Sequence, residues 1–152
     1  MTSTEACLLV DADACPVKDE CMRVALRYGV PVLFVSNAGF RLPPHPLIRR
    51  LVVSEGFDAA DDAIAERADA AKVVVTADIL LADRCLKAGA AVLGPNGTPF
   101  TPDSIGSAIA TRAIMNDLRG SGDQVGGGQP PFSKADRSRF LSALDEALTR
   151  LV

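Results

Sequence analysis

Short apolar runs alternate with segments of helical periodicity along the first two thirds of the chain. The apolar runs stop at acids, glycine or proline after a few residues, as strands buried on both faces do. Between them, apolar side chains recur every three or four positions, which predicts helices with one buried face. The predicted strands are Cys7–Val10, Val30–Val35, Leu51–Ser54, Lys72–Val75 and Ala90–Leu93, and the predicted helical segments are Val17–Tyr28, a short turn at Leu47–Arg50, Ala59–Ala70 and Ile79–Ala88.

The last third of the chain follows a different pattern. It predicts a helix over Pro102–Leu118, a glycine-rich loop near residues 120–131 and an amphipathic helix over Ser133–Leu151. The inner face of that last helix is predicted to be Phe140, Leu144, Leu148 and Leu151.

Alternating strands and helices predict an α/β fold, because parallel strands need helical crossovers that then cover the sheet. We expect a three-layer domain, with a five-stranded, mainly parallel sheet, helices on both faces and further C-terminal helices. A length of 152 residues suits one domain with one substantial core. We place an α/β core in residues 1–97 and a C-terminal helical extension in residues 98–152.

Composition narrows the classes of function. A net charge of −3 and an aromatic content of 5% without tryptophan are unlike a protein that coats nucleic acid by bulk charge or stacks bases on aromatic rings. A single histidine and no Cys-x-x-Cys pair argue against a zinc site. The chain shows no signal peptide and no apolar run near the ~20 residues of a membrane span, so we expect a soluble cytoplasmic protein with reduced thiols.

Six aspartates lie after predicted strands or at the start of a predicted helix, and all six are expected at one edge of the sheet. The carboxyl ends of parallel strands meet at the same edge, which is where sites form in such sheets. Close carboxylates repel one another, so they need a divalent cation, a raised pKa or a basic partner. Oxygen donors suit Mg²⁺ or Mn²⁺. The acids concerned are Asp11 and Asp13 after the first strand, Asp58, Asp61 and Asp62 at the start of the helix after the third, and Asp78 after the fourth. Asp58 and Asp61 could equally be a helix cap and a first-turn acid with a purely structural role, and Asp78 could also cap the helix that follows it.

Five segments of the chain resemble a known family. The match covers nearly the whole chain and is to the bacterial YaiI/YqxD-like family, which is largely uncharacterised. The segments are VDADACPV (Val10–Val17), GFDAADDAI (Gly56–Ile64), VVTADILLAD (Val74–Asp83), RAIMNDLR (Arg112–Arg119) and GGGQPPFSKADRSRF (Gly126–Phe140).

That family is in turn similar to PIN and NYN domains, which are metal-dependent ribonucleases. The resemblance implies a PIN-like fold. It also implies an enzyme that hydrolyses phosphodiester bonds of RNA with Mg²⁺ or Mn²⁺. PIN domains commonly have a glutamate in the helix that here carries only aspartates, and their pattern does not explain the C-terminal extension. Carried over, the metal ligands are Asp11, Asp58 or Asp62, and Asp78, the catalytic set adds Asp13, and Thr76 orients Asp78 or the attacking water.

Basic residues could hold the phosphate backbone of a nucleic acid. Three arginines and no acid lie between Asn37 and Arg50, which suits a backbone clamp as well as a solvated basic loop. Arg112 could bind phosphate or pair with a nearby acid. The predicted substrate-binding residues are therefore Arg41, Arg49, Arg50 and Arg112.

Two other functions stay open on the sequence. The first is a non-catalytic module that binds nucleic acid or regulates. The second, and weaker, is a haloacid-dehalogenase-type phosphatase with Asp11 as nucleophile. In those phosphatases the metal-binding acid pair follows the threonine motif, whereas here Asp61 and Asp62 precede Thr76. Cys15, at a predicted helix start, could have a lowered pKa or be a buried, inert thiol.

Overall fold

The structure is a computed structural model that describes residues 6–13, 15–37, 41–53, 59–106 and 132–151. The predicted glycine-rich loop and most of the helix predicted over Pro102–Leu118 lie outside these residues, although 102–106 are helical. In chain order the elements are β1 (Cys7–Asp11), α1 (Lys18–Arg27), β2 (Val32–Ser36), β3 (Ile48–Val52), α2 (Ala59–Arg67), β4 (Lys72–Val75), α3 (Ile79–Lys87), β5 (Ala91–Leu93) and α4 (Lys134–Leu151).

The five strands form one parallel sheet in the order β3-β2-β1-β4-β5. The chain moves outward from β1 to β3 and then returns to the other side of β1 for β4. The direction of winding therefore reverses between β1 and β4. In open α/β sheets, the crevice at the carboxyl ends of two such strands is the usual place for a ligand.

Alternate side chains of the strands feed two hydrophobic cores. Leu8 and Val10 of β1 point to the face covered by α1 and α4, whereas Leu9 points to the face covered by α2 and α3. The predicted α/β class, with a five-stranded parallel sheet between two helical layers, is thus confirmed. No helix in the described parts of the chain is long and apolar enough to cross a bilayer.

The C-terminal helix α4 is a full part of the core. Phe140, Leu144 and Leu148 are completely buried, as the helical pattern predicts. Two ion pairs join α4 to α1, one from Arg137 Nη1 to Glu20 Oε2 at 2.5 Å and one from Arg27 Nη1 to Asp145 Oδ2 at 2.6 Å.

A glycine after β5 allows α4 to approach the sheet closely. Gly97 has φ +87°, and a Cβ atom built there would lie 2.6 Å from the backbone carbon of Arg139. Only glycine fits a position with this backbone angle and this contact.

The third strand begins earlier than the sequence predicts. A helical turn over Leu47–Arg50 and a strand over Leu51–Ser54 were expected, whereas Ile48–Val52 is one strand. Its backbone pairs with β2, with Arg49 opposite Leu33 and Arg50 opposite Phe34. Ladder hydrogen bonds outweigh the weak strand preference of arginine here, and an edge strand tolerates charged side chains.

Candidate active site at the carboxyl ends of the strands

A hydrogen bond joins β1 and β4 at the point where the winding reverses. The Thr76 hydroxyl, which is 1% exposed, donates to Asp11 Oδ2 at 2.9 Å and accepts from the Asp78 backbone N–H at 3.0 Å. Thr76 was expected to orient Asp78 or the attacking water, whereas its hydroxyl contacts the Asp11 carboxylate and the Asp78 backbone, so that role stays a prediction. The hydroxyl fixes the Asp11 carboxylate and the turn that leads into α3.

A cleft of about 240 Å³ opens beside Asp11, and we call it the acidic cleft. It is lined by Asp11, Asp13, Asn37, Ala59, Ala60 and Asp61. The exposed Asp13 accepts a hydrogen bond on Oδ2 from the Asn37 backbone N–H at 3.2 Å, which ties the turn after β1 to the end of β2. Two segments of the chain, the end of β1 and the start of α2, thus bring three carboxylates to one opening.

The environment of Asp11 opposes its ionisation. Burial raises the pKa of Asp11 to about 6, the hydrogen bond from Thr76 lowers it, and the negative charges of Asp61, Asp13 and Asp78 raise it further. A cation placed in the acidic cleft would relieve both the desolvation and the repulsion.

The acid that α2 contributes to the cleft is Asp61. Its half-buried side chain lies one turn before the buried Ile64, whereas Asp62 lies one turn before the exposed Glu66. The Asp62 side chain is 56% exposed and accepts from Arg84 Nη1 at 2.9 Å. Helical spacing alone does not choose between the two acids, because they lie on either side of the apolar face of α2.

Asp78 has a structural role in addition to its charge. Its Oδ1 accepts hydrogen bonds from the backbone N–H groups of Leu80 at 2.9 Å and Leu81 at 3.2 Å, so it is the N-cap of α3. Both roles considered for Asp78 on the sequence are compatible with this geometry, because its charge also acts on Asp11.

The described acids do not form a ready-made metal cage. Within the described ranges, no group of three or more His, Cys, Asp or Glu side chains is close enough to hold an ion together. Asp58 lies outside those ranges. Mg²⁺ nonetheless often binds through one or two carboxylates, with water and substrate phosphate filling its other positions. The oxygen donors of the acidic cleft fit that mode.

The three predicted basic residues that the structure describes lie in different settings. Arg41 is exposed in a stretch without regular structure, and Arg112 lies outside the described residues. Arg49 and Arg50 are neighbours on β3, so their side chains point to opposite faces of the sheet. Their role as substrate contacts stays a prediction.

The thiols of Cys15 and Cys21, just before and within α1, lie in contact. A hydrogen bond with Cys21 lowers the pKa of the half-buried Cys15, and Lys18 adds to the effect, whereas burial raises the pKa of Cys21. Cys15 also donates its backbone N–H to the carbonyl of Ala12 at 3.3 Å, which closes the turn that carries Asp13.

Comparisons with known proteins agree over nearly the whole chain. Residues 9–150 match a family model described as an uncharacterised YaiI/YqxD family. A UPF0178 protein of Sphingopyxis alaskensis is 70% identical over 145 residues, which cover 95% of this chain and 94% of the relative. UPF0178 proteins of Nitrobacter winogradskyi and Bradyrhizobium diazoefficiens are 58% and 57% identical and cover 95% and 99% of the chain, and 91% and 90% of their own lengths. No solved structure matches the chain.

Proposed function

The chain belongs to the YaiI/YqxD family, and we propose that it is a metal-dependent nuclease that hydrolyses phosphodiester bonds of RNA. Because that family is described as uncharacterised, the proposal is drawn from the site itself. The resemblance of its motifs to PIN and NYN domains suggests the reaction and the substrate. The strand order and the acidic cleft support the same proposal from physical grounds.

One observation carries the proposal. Asp11 stands at the reversal of the winding, fixed by Thr76, with a pKa raised to about 6 by burial and by three neighbouring carboxylates. Without a bound cation, such an environment destabilises the ionised Asp11 carboxylate. It therefore indicates a site that is completed by a cation. Magnesium and manganese are the ions that suit oxygen donors and phosphate substrates.

The residues of the chain have separable parts in the proposed reaction. Asp11 and Asp61 bind the ion from β1 and α2, and Thr76 keeps the Asp11 carboxylate in one orientation. Asp13, exposed at the mouth and held by Asn37, accepts the proton of the attacking water. The ion, when bound, supplies positive charge that offsets the carboxylates and the phosphate and that assists the ionisation of water.

The decisive experiment compares three aspartate-to-asparagine variants on single-stranded RNA with Mg²⁺ or Mn²⁺. We expect internal cleavage by the parent, a loss of roughly a hundredfold or more in Asp11→Asn and Asp61→Asn, and less than about threefold change in Asp62→Asn. Asp62→Asn is the matched control, because Asp62 adjoins Asp61 but pairs with Arg84 on the surface.

Other outcomes would contradict the proposal in distinct ways. Full activity in Asp11→Asn would exclude the acidic cleft as the site. Loss in Asp62→Asn but not in Asp61→Asn would return the choice of ligand to Asp62. Metal-independent binding of RNA without cleavage would favour the non-catalytic module, and a phosphorylated Asp11 formed from small phosphate esters would favour the phosphatase.

A further inference from the structure

A second cavity, of 580 Å³, lies at the amino ends of the strands on the α2 side of the sheet. We call it the amino-end cavity. Its volume falls in the range of cavities that bind small organic molecules. Apolar groups from β1, β2 and the segments that lead into β2 and β3 form its floor, namely Cys7, Leu9, Pro31, Leu33 and Leu47.

The cavity exists because the helical layer stops short of the edge strand. On this face α2 packs against β1 and β2, and it ends at Arg67. Parallel sheets are normally covered on both faces. Leu33 on β2 is only partly buried as a result.

The charges around the cavity are unbalanced. Lys72 is buried, and its Nζ lies 3.1 Å from both carboxylate oxygens of Asp69, so this pair is neutral. Arg49 and Arg67 form no ion pair within the described ranges, and the Arg67 Nη1 donates only to the carbonyl of Ala63 at 2.8 Å. Glu66 is the remaining acid, which leaves one net positive charge over an apolar floor.

We infer that the amino-end cavity binds a small organic anion, with an aliphatic body on the leucine floor and a carboxylate or phosphate group between Arg49 and Arg67. Planar guanidinium groups bind both kinds of oxyanion in bidentate fashion. The basic pattern of the sequence suggested Arg49 as a contact for a nucleic-acid backbone. In this inference Arg49 instead binds the anion on the α2 side of the sheet.

This site is separate from the acidic cleft. The two lie at opposite ends of α2, with Asp61 in its first turn and Arg67 in its last. A nine-residue helix is about 13 Å long. Failure of one proposal therefore leaves the other standing.

Titration calorimetry with octyl phosphate and octanoate tests the inference. We expect a Kd of roughly 1 mM or tighter for at least one probe, with the tighter probe identifying the head group, and little binding of n-octanol. Arg49→Gln and Arg67→Gln should each weaken binding about tenfold or more, because each loses a charge-assisted hydrogen bond. Glu66→Gln should strengthen it, since a like charge is removed.

Arg50→Gln is the matched control, because Arg50 is the next residue on β3 and points to the other face of the sheet. Cys7 supplies an independent readout, since its thiol lines the cavity. At ten times the Kd, the probe should slow alkylation of Cys7 by N-ethylmaleimide about tenfold, while Cys15, outside the cavity, is unaffected.

The inference is overturned if neither probe binds the folded protein. It is also overturned if Arg49→Gln and Arg50→Gln weaken binding equally, or if bound probe leaves Cys7 as reactive as before.

Discussion

Asp11 is held in two opposing environments. The Thr76 hydroxyl stabilises its carboxylate, whereas burial and the charges of Asp61, Asp13 and Asp78 destabilise it, and the second effect prevails. The pKa is therefore higher in the folded protein, at about 6, than the ordinary 3.8. Ionisation of Asp11 therefore lowers the free energy of unfolding. This loss is absent well below pH 3.8, grows between pH 3.8 and about pH 6, and is complete above about pH 6.

This sign leads to a prediction for the metal-free protein. Asp11→Asn keeps an oxygen to accept from Thr76 but removes the charge. It should raise the free energy of unfolding at pH 8 by no more than about 3 kcal/mol and leave it nearly unchanged at pH 4. Urea unfolding in the presence of a chelator measures both values.

Asp62→Asn is the control for that measurement, because its exposed ion pair with Arg84 contributes at most about 1 kcal/mol at either pH. An equal gain from Asp11→Asn at both pH values, or a loss at pH 8, would contradict the account of Asp11. A variant that is more stable yet inactive would also show that lost cleavage does not result from unfolding.

At the scale of an element, α3 separates the two roles of Asp78. Asp78→Ala removes both capping bonds and should lower the free energy of unfolding by about 1 kcal/mol. Asp78→Asn keeps an accepting oxygen and removes a charge that acts on Asp11, so it should be as stable as the parent or more stable without metal. Urea unfolding at pH 8 compares the two variants.

Asp83→Ala, in the same helix, tests for a general effect of lost acids, because among the described residues Asp83 pairs with Lys87 alone, on the surface, and should contribute less than about 0.5 kcal/mol. Equal destabilisation by Asp78→Ala and Asp78→Asn would mean that the charge itself, rather than the accepting oxygen, stabilises α3.

Some elements could be predicted from the sequence because their own apolar side chains determine which residues are buried. The predicted strand Lys72–Val75 is identical to β4, and the inner face of α4 follows its apolar spacing. The start of β3 was not predictable, because Ile48–Val52 is held by pairing with β2 rather than by apolar content. The acids that follow β1 and β4 were found because they follow apolar runs, whereas choosing Asp61 over Asp62 required knowing how α2 is rotated about its axis.

At the scale of the whole molecule, the contact between the β5 turn and α4 fixes how the C-terminal helix lies on the sheet. Gly97→Ala should be strongly destabilising, because it adds a collision with the Arg139 backbone to the strain of a positive φ. Gly29→Ala is the matched control, since Gly29 has φ +66° but no atom within 4 Å of the added carbon.

Thermal or urea unfolding of the two variants separates strain from collision. Gly29→Ala should cost about 1 kcal/mol, and Gly97→Ala at least about twice as much. Equal losses of unfolding free energy in the two variants would mean that α4 can shift to accommodate the methyl group. The close packing of α4 on the turn after β5 would then not be a fixed feature of the fold.

The placement of α4 also has a consequence for synthesis of the protein. The face of the sheet that carries Leu8, Val10 and Phe34 is completed by side chains of α4, which begins at Lys134, whereas the last strand ends at Leu93. The ribosome therefore makes about forty more residues after the sheet before its covering helix begins, which takes roughly 2 to 8 seconds at bacterial rates. Throughout that interval the part of this face that α4 covers lacks its apolar partner, and exposed apolar surface of this kind favours aggregation.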